Sequence, residues 1–281
     1  MKMGASRLSD GSVRAAVLLA LTVLAGCGAA SVSPEVALKQ EQAAAGQANN
    51  IESLTEIIEK NPQDANALNL RGTAYGQAGD YKNAMQDFNK ALKVKPDFPQ
   101  AYANRALVFV KIDILPRAIA DYDRAIKINP DYASAYVGRG NVYRLLKEDR
   151  KAIADFTKAI SIQPDPVAHF NRGLSRQRLG LHEEAIDDFD NAIGFRADAP
   201  EVYQAKGLSE MALKRYESAY DNFYKAASGS KRNYEAWALR GKAAEALGNR
   251  QNAARAYNRA LQINPSFQPA REGLQRVESA A

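Results

Sequence analysis

An all-α fold, a solenoid of six helix-turn-helix repeats with a capping helix at each end, is predicted by three features of the 281-residue sequence. A small residue recurs as Gly72, Ala106, Gly140, Gly173, Gly207 and Gly241, at intervals of 34, 34, 33, 34 and 34 residues. Alanine recurs in two further columns, as Ala84, Ala118, Ala152, Ala185, Ala219 and Ala253 and as Ala91, Ala125, Ala159, Ala192, Ala226 and Ala260. Between the two alanines stands an aromatic: Phe88, Tyr122, Phe156, Phe189, Phe223 and Tyr257. A short hairpin cannot bury its own apolar face, so columns held in register over six copies imply that each unit is buried by its neighbours.

Residues 133–164 show the unit most cleanly. Tyr136, Gly140 and Tyr143 fall on one face of a first helix, and Ala152, Phe156 and Ala159 on one face of a second. The small residues let the two axes approach while the aromatics fill the space beside them. Polar Lys147–Arg150 is expected to make the turn, and Pro164 to stop the second helix. This pattern, over residues 65–266, resembles the tetratricopeptide repeat, a family that implies a superhelical stack of hairpins and a role in binding other proteins. The family's leucine before the glycine is replaced here by Arg71, Arg105, Arg139, Arg172, Lys206 and Arg240.

Residues 1–26 read as an export signal, with Lys2, Arg7 and Arg14 before an apolar run, Ala15–Leu24, too short to span a bilayer that needs about twenty residues. Leu24-Ala25-Gly26-Cys27 then resembles the bacterial lipobox, against the alternative of plain secretion with cleavage at small residues. By that resemblance Cys27 becomes a diacylglycerol-modified N-terminus, and two or three acyl chains hold it firmly to a membrane. Gly28 in place of aspartate implies the outer membrane, with the array facing the periplasm. Residues 27–50, rich in Ala, Ser, Gln and Asn, are expected to be a tether. Ile51, Leu54, Ile57 and Ile58 make residues 51–64 a leading cap helix, similar to the second helix of a degenerate repeat. Phe267, Ala270, Leu274 and Val277 make residues 267–281 a C-terminal cap, whose alternative use is contact with a second copy of the chain.

Proline and an acidic residue mark the repeat junctions at Pro62-Gln63-Asp64, Pro96-Asp97, Pro130-Asp131 and Pro164-Asp165, so a helix stop and a carboxylate cap are expected at each. Later repeats depart: Tyr75, Phe109 and Tyr143 give way to Arg176, Glu210 and Ala244, which predicts looser packing or a surface covered by another chain. Each arginine sits one residue before the small column, and Asp87, Asp121, Asp155 and Asp188 sit one residue before the aromatic, so the two are expected to meet as ion pairs. The fifth and sixth repeats have Asn222 and Ala256 at the carboxylate position.

The formal charge of +6, with acidic and basic residues interleaved, does not point to nucleic acid. One cysteine excludes an internal disulfide; His169 falls in a core column and His182 in a turn, so no metal site is read, and no catalytic or cofactor-binding motif appears. The first-helix face left over after packing, concave by the family resemblance, carries Asn66, Asn69, Asn104, Lys111, Asn141, Arg144, Asn171, Gln177, Arg178 and Gln204. Amides can pair with an extended backbone and arginines with carboxylates, so the expected ligand is an extended peptide segment or acidic tail of another envelope protein. The nearest family likenesses are the tetratricopeptide lipoproteins that act as envelope adaptors, with pilotins and barrel-assembly lipoproteins as alternatives and an envelope enzyme as the reading of another class.

Overall fold

A computed structural model describes residues 46, 50–230 and 232–279. The export signal, Cys27 and nearly all of the expected tether lie outside these residues. Helix α1 covers residues 50–60. Six pairs follow: α2 (Ala65–Gln77) with α3 (Tyr81–Val94), α4 (Pro99–Lys111) with α5 (Leu115–Ile128), and α6 (Ala133–Leu145) with α7 (Asp149–Ile162). Next come α8 (Pro166–Arg178) with α9 (His182–Phe195), α10 (Pro200–Ala212) with α11 (Tyr216–Ser228), and α12 (Tyr234–Ala246) with α13 (Arg250–Ile263). Helix α14 (Gln268–Ser279) packs on α12 and α13. No strand occurs among the described residues, and the architecture is an all-α solenoid. Each second helix packs on the next first helix, and first helices of successive repeats also touch, as α2–α4, α4–α6, α6–α8 and α8–α10 do.

Both ends continue the repeat. Leu54 of α1 stands 34 residues before Phe88, in the aromatic column, and is buried. Helix α1 thus takes the place of a second helix, although Ile57, read as part of its apolar stripe, is 47% exposed. At the other end Ala270 and Val277 are buried against Ala253, Tyr257 and Ala260, and α14 takes the place of a seventh first helix.

Every hairpin turn places one residue in the left-handed region: Gly79, Asp113, Lys147, Gly180, Lys214 and Gly248, with φ between 58° and 81°. Glycine adopts this conformation without strain, whereas the three larger residues pay for a crowded Cβ. In the third repeat the turn is tighter than expected, because Asp149 is already the first residue of α7. Capping is also more selective than the junctions suggest. Asp64 accepts from the Ala67 amide and Asp165 from the Val167 amide, each at 2.9 Å. Asp97 and Asp131 do not cap; Phe98 and Tyr132 stand at those helix starts with no side-chain bond. Phe98 is buried there beside Ala65 and Leu68, so an apolar contact fixes the chain entry instead.

The small column fits the aromatic column inside each repeat. A Cβ added at Gly72 would lie 2.8 Å from the Phe88 ring, and one at Gly140 2.9 Å from Phe156. In the second repeat Ala106 faces Tyr122, and the ring instead presses on the following repeat, where a Cβ at Gly138 would lie 2.4 Å away. The sixth repeat repeats this: a Cβ at Gly273 of α14 would meet Tyr257 at 2.3 Å. Tyrosine, one atom longer than phenylalanine, appears in this column where the next first helix offers glycine; after the four phenylalanines the same place holds Asn104, Asn171, Ala205 and Leu239.

Candidate interaction surfaces

The arginine column binds two helices at once. Arg71, Arg105 and Arg139 each place Nε and Nη2 on the two oxygens of Asp87, Asp121 and Asp155, 16 residues ahead, at 2.7–2.9 Å. The remaining Nη1 reaches 16 residues back, to the second helix of the preceding repeat: Thr55, Asn89 and Asp123 respectively. Each guanidinium therefore ties its own hairpin together and ties that hairpin to its neighbour. The carboxylates are nearly sealed, with Asp87 at 2% and Asp155 at 6% exposure. The Tyr75, Phe109 and Tyr143 rings lie within 6.0 Å of these guanidiniums and shield them further. Hydrogen bonds donated to Asp155 and Asp123 hold the Arg139 guanidinium protonated well above its ordinary range, against burial.

Repeats four to six alter this device one member at a time. Asp188 is fully buried and receives Arg172 at 2.7 Å, Arg176 at 2.7 Å and the His169 ring Nδ1 at 3.3 Å. Arg172 also reaches Thr157 of the preceding repeat. Arg176, which replaces the shielding aromatic, therefore does not loosen the repeat but adds a second guanidinium to its carboxylate. In the fifth repeat Lys206 keeps only the backward partner, Asp190. Buried Glu210, at the aromatic position, accepts from Asn222 at 2.8 Å, and burial pushes its carboxyl above the usual carboxylate range despite that bond. In the sixth repeat Ala244 is 1% exposed and packs with Tyr257 and Ala253, so this replacement does not loosen the core either. Arg240 faces Ala256 ahead and Tyr224 behind, and neither offers a carboxylate.

On the first-helix face, the expected binding residues divide into those bonded within the array and those left available. Asn104 donates to Asn69 at 3.1 Å and to Thr73 at 3.2 Å, tying α4 to α2. Gln177 donates to the Ala205 carbonyl and to Ser209, both at 2.8 Å, tying α8 to α10. Arg178 binds both oxygens of buried Asp149 at the start of α7 and also donates to the Arg144 carbonyl. Gln204 accepts from Asn233, which itself caps α12. Asn171 is buried. Asn66 and Lys111 are exposed.

Two places on this face have capacity to spare. Gly76, where other repeats carry Val110, Arg144, Gln177, Met211 or Glu245, leaves a cavity of about 350 Å³ between α2 and α4. Buried Phe88 and Val108 and exposed Leu107 line it together with Asn104 and Lys111. Further along, Asn141 Oδ1 and Arg144 Nε are buried without hydrogen-bond partners. Burial, with the Arg178 charge second, lowers the Arg144 guanidinium below its ordinary value, so a carboxylate brought there would relieve an existing cost.

The sequence reading missed the backward partners. They occupy a regular column of their own, one residue after each aromatic, as Asn89, Asp123, Thr157 and Asp190, and that regularity was the available signal. The Gly76 cavity had a signal as well, a glycine where the other five repeats carry a side chain, whereas the Arg178–Asp149 pair had none, since it depends on which neighbour a side chain meets.

Tetratricopeptide-repeat family models match residues 65–98, 115–147, 133–166 and 234–267. No curated protein gave a significant sequence match. Among solved structures, the chain is similar to YrrB, described as a tetratricopeptide-repeat protein with an unusual peptide-binding site, at 22% identity and a TM-score of 0.62, over 67% of this chain and 97% of that one. It is also similar to PilW, described as a widely conserved type IV pilus biogenesis factor, at 23% identity and 0.64, over 76% and 98%. A third is PilF of Pseudomonas aeruginosa, at 18% identity and 0.63, over 84% and 100%. At these identities the likeness is one of fold.

Proposed function

We propose that this chain, whose repeats match tetratricopeptide-repeat models, is a non-catalytic adaptor, anchored through lipid on Cys27, which holds an extended segment of another envelope protein on its first-helix face. The observation that carries the binding reading is the unspent capacity on that face. A cavity lined by Phe88, Val108 and Leu107 together with Asn104 and Lys111 lies at one end, and Asn141 and Arg144 with unbonded polar atoms lie in the middle. An extended strand can seat a side chain in the first and present a carboxylate or backbone group to the second.

The anchor reading rests on Leu24-Ala25-Gly26-Cys27, which puts the chain's one cysteine at the position a lipobox requires. Outer-membrane attachment with the array in the periplasm follows from that reading and Gly28. No helix among the described residues is long and apolar enough to cross a membrane.

Two arms test this. Changing Lys111 to Glu together with Asn141 and Arg144 to Ala should abolish crosslinking to the envelope partners of the wild-type protein, at unchanged helicity; undiminished crosslinking by the folded variant rules out this face. Cys27→Ser should end fatty-acid labelling and membrane-pellet retention; equal labelling of the variant refutes the anchor alone. Recovery of cell-wall hydrolases, a secretin or barrel-assembly subunits would separate the adaptor reading from the pilotin and barrel-assembly alternatives.

A further inference from the structure

In five repeats the cation of the arginine column is paired with at least one carboxylate, and in the sixth it is paired with none among the described residues. Arg71, Arg105, Arg139 and Arg172 each hold a buried aspartate, and Lys206 holds Asp190. Arg240 has no carboxylate within ion-pair distance among the described residues, and its Nε is buried without a hydrogen-bond partner. It is instead held between rings, with its guanidinium carbon 4.1 Å from the centroid of Tyr220, 4.4 Å from that of Tyr224 and 5.5 Å from that of Trp237. Tyr224 packs edge-on against Trp237 and yet is 48% exposed, and Arg240 is half-buried rather than sealed.

We propose that Arg240, with Tyr220, Tyr224 and Trp237, is a docking site for an acidic side chain of a partner protein, which supplies at the sixth repeat the carboxylate that the others carry internally. The rings fix the guanidinium in place, so little side-chain freedom remains to be lost on binding. They also lower the dielectric around it, which strengthens a two-pronged arginine–carboxylate pair. Tyrosine, tryptophan and arginine are the residue types that dominate protein–protein binding energy. The site lies on α11 and α12, uses none of the residues of the first-helix cavity, and stands or falls apart from that reading.

Trp237 is the single tryptophan of the chain and reports the site directly. The full-length protein is titrated with a blocked peptide of four glutamates, with the same peptide in glutamine, with inorganic phosphate and with a single-stranded oligonucleotide, while tryptophan emission is followed. The expected result is a saturable change with the glutamate peptide alone. Arg240→Gln should weaken that affinity at least about tenfold, with helicity and melting retained. Ala256→Asp should do the same by giving Arg240 an internal partner; should this variant not fold, Arg240→Gln carries the test alone. No saturable change in the wild type, an equal change with the glutamine peptide, a change with phosphate or oligonucleotide instead of glutamate, or affinity retained in either folded variant would overturn the proposal.

Discussion

In repeats one to three the same guanidinium fork meets the same aspartate at the same offset, roofed by an aromatic ring; in repeats four to six each copy solves the same packing problem with different chemistry. The fourth concentrates two guanidiniums and a histidine on one sealed carboxylate. The fifth exchanges the pair for Lys206–Asp190 and a buried glutamate–asparagine bond. The sixth gives up the carboxylate and holds the cation between rings. The alanine and aromatic columns never vary in kind across this change, so backbone packing is kept while the polar staple drifts. Where the staple is kept, its cost of burial is offset by bonds on every oxygen; where it is lost, charge is left over for another molecule.

The comparison predicts unequal responses to mutation. The largest belongs to Asp188→Ala, which strands two guanidiniums and a histidine in a dry site and should cost about 3–5 kcal/mol, seen as loss of the cooperative thermal transition for the fourth repeat and its neighbours. A loss no larger than that of an exposed pair, under about 1 kcal/mol, would show that the two guanidiniums and the histidine do not share the load.

The next concerns the tyrosine–glycine contacts that cross between repeats. Gly273→Ala forces a Cβ into the Tyr257 ring and should cost about 1–3 kcal/mol by overpacking. Because α14 alone bears the strain, it should appear first as faster amide exchange in residues 268–279 with the earlier repeats unaffected. Uniform loosening of the whole array would contradict a local role for the cap.

The smallest effect has the opposite sign. Burial raises the Glu210 carboxyl, so the folded state holds its proton more tightly than the unfolded chain does. The stability linked to this group is fully present below the unfolded pKa and is lost as pH rises through the folded one. Glu210→Gln keeps an acceptor for Asn222 while removing the charge. It should raise the melting temperature near neutral pH, at about 2–4 °C per kcal/mol recovered, and the gain should vanish at about pH 4. A gain that persists in acid would assign it to packing rather than to charge.

The period, the hairpin, the core columns and the arginine–aspartate register were legible in the sequence because each repeats at a fixed offset, and a column read six times averages out local irregularity. The two caps were legible from apolar stripes of their own, Ile51, Leu54, Ile57 and Ile58 at one end and Phe267, Ala270, Leu274 and Val277 at the other. What was not legible is the division of the first-helix face. Arg178 and Arg144 look alike in sequence, but only Arg178 meets Asp149, because that aspartate begins α7 one residue after the left-handed turn closes. Nor does the count of aromatic residues lost from repeats four to six reveal that Arg176 and Glu210 are themselves bonded, since their partners, Asp188 and Asn222, lie 12 residues away on another helix.

One substitution made twice separates a cation that staples the early repeats from one that, in the last, is held by rings and left for a partner's carboxylate. Arg139→Gln and Arg240→Gln are compared by thermal melting under identical conditions. Arg139→Gln strands buried Asp155 and should lower the transition by several degrees, at about 2–4 °C per kcal/mol, whereas Arg240→Gln strands no carboxylate and should leave it nearly unchanged. Equal losses from the two variants would contradict the account.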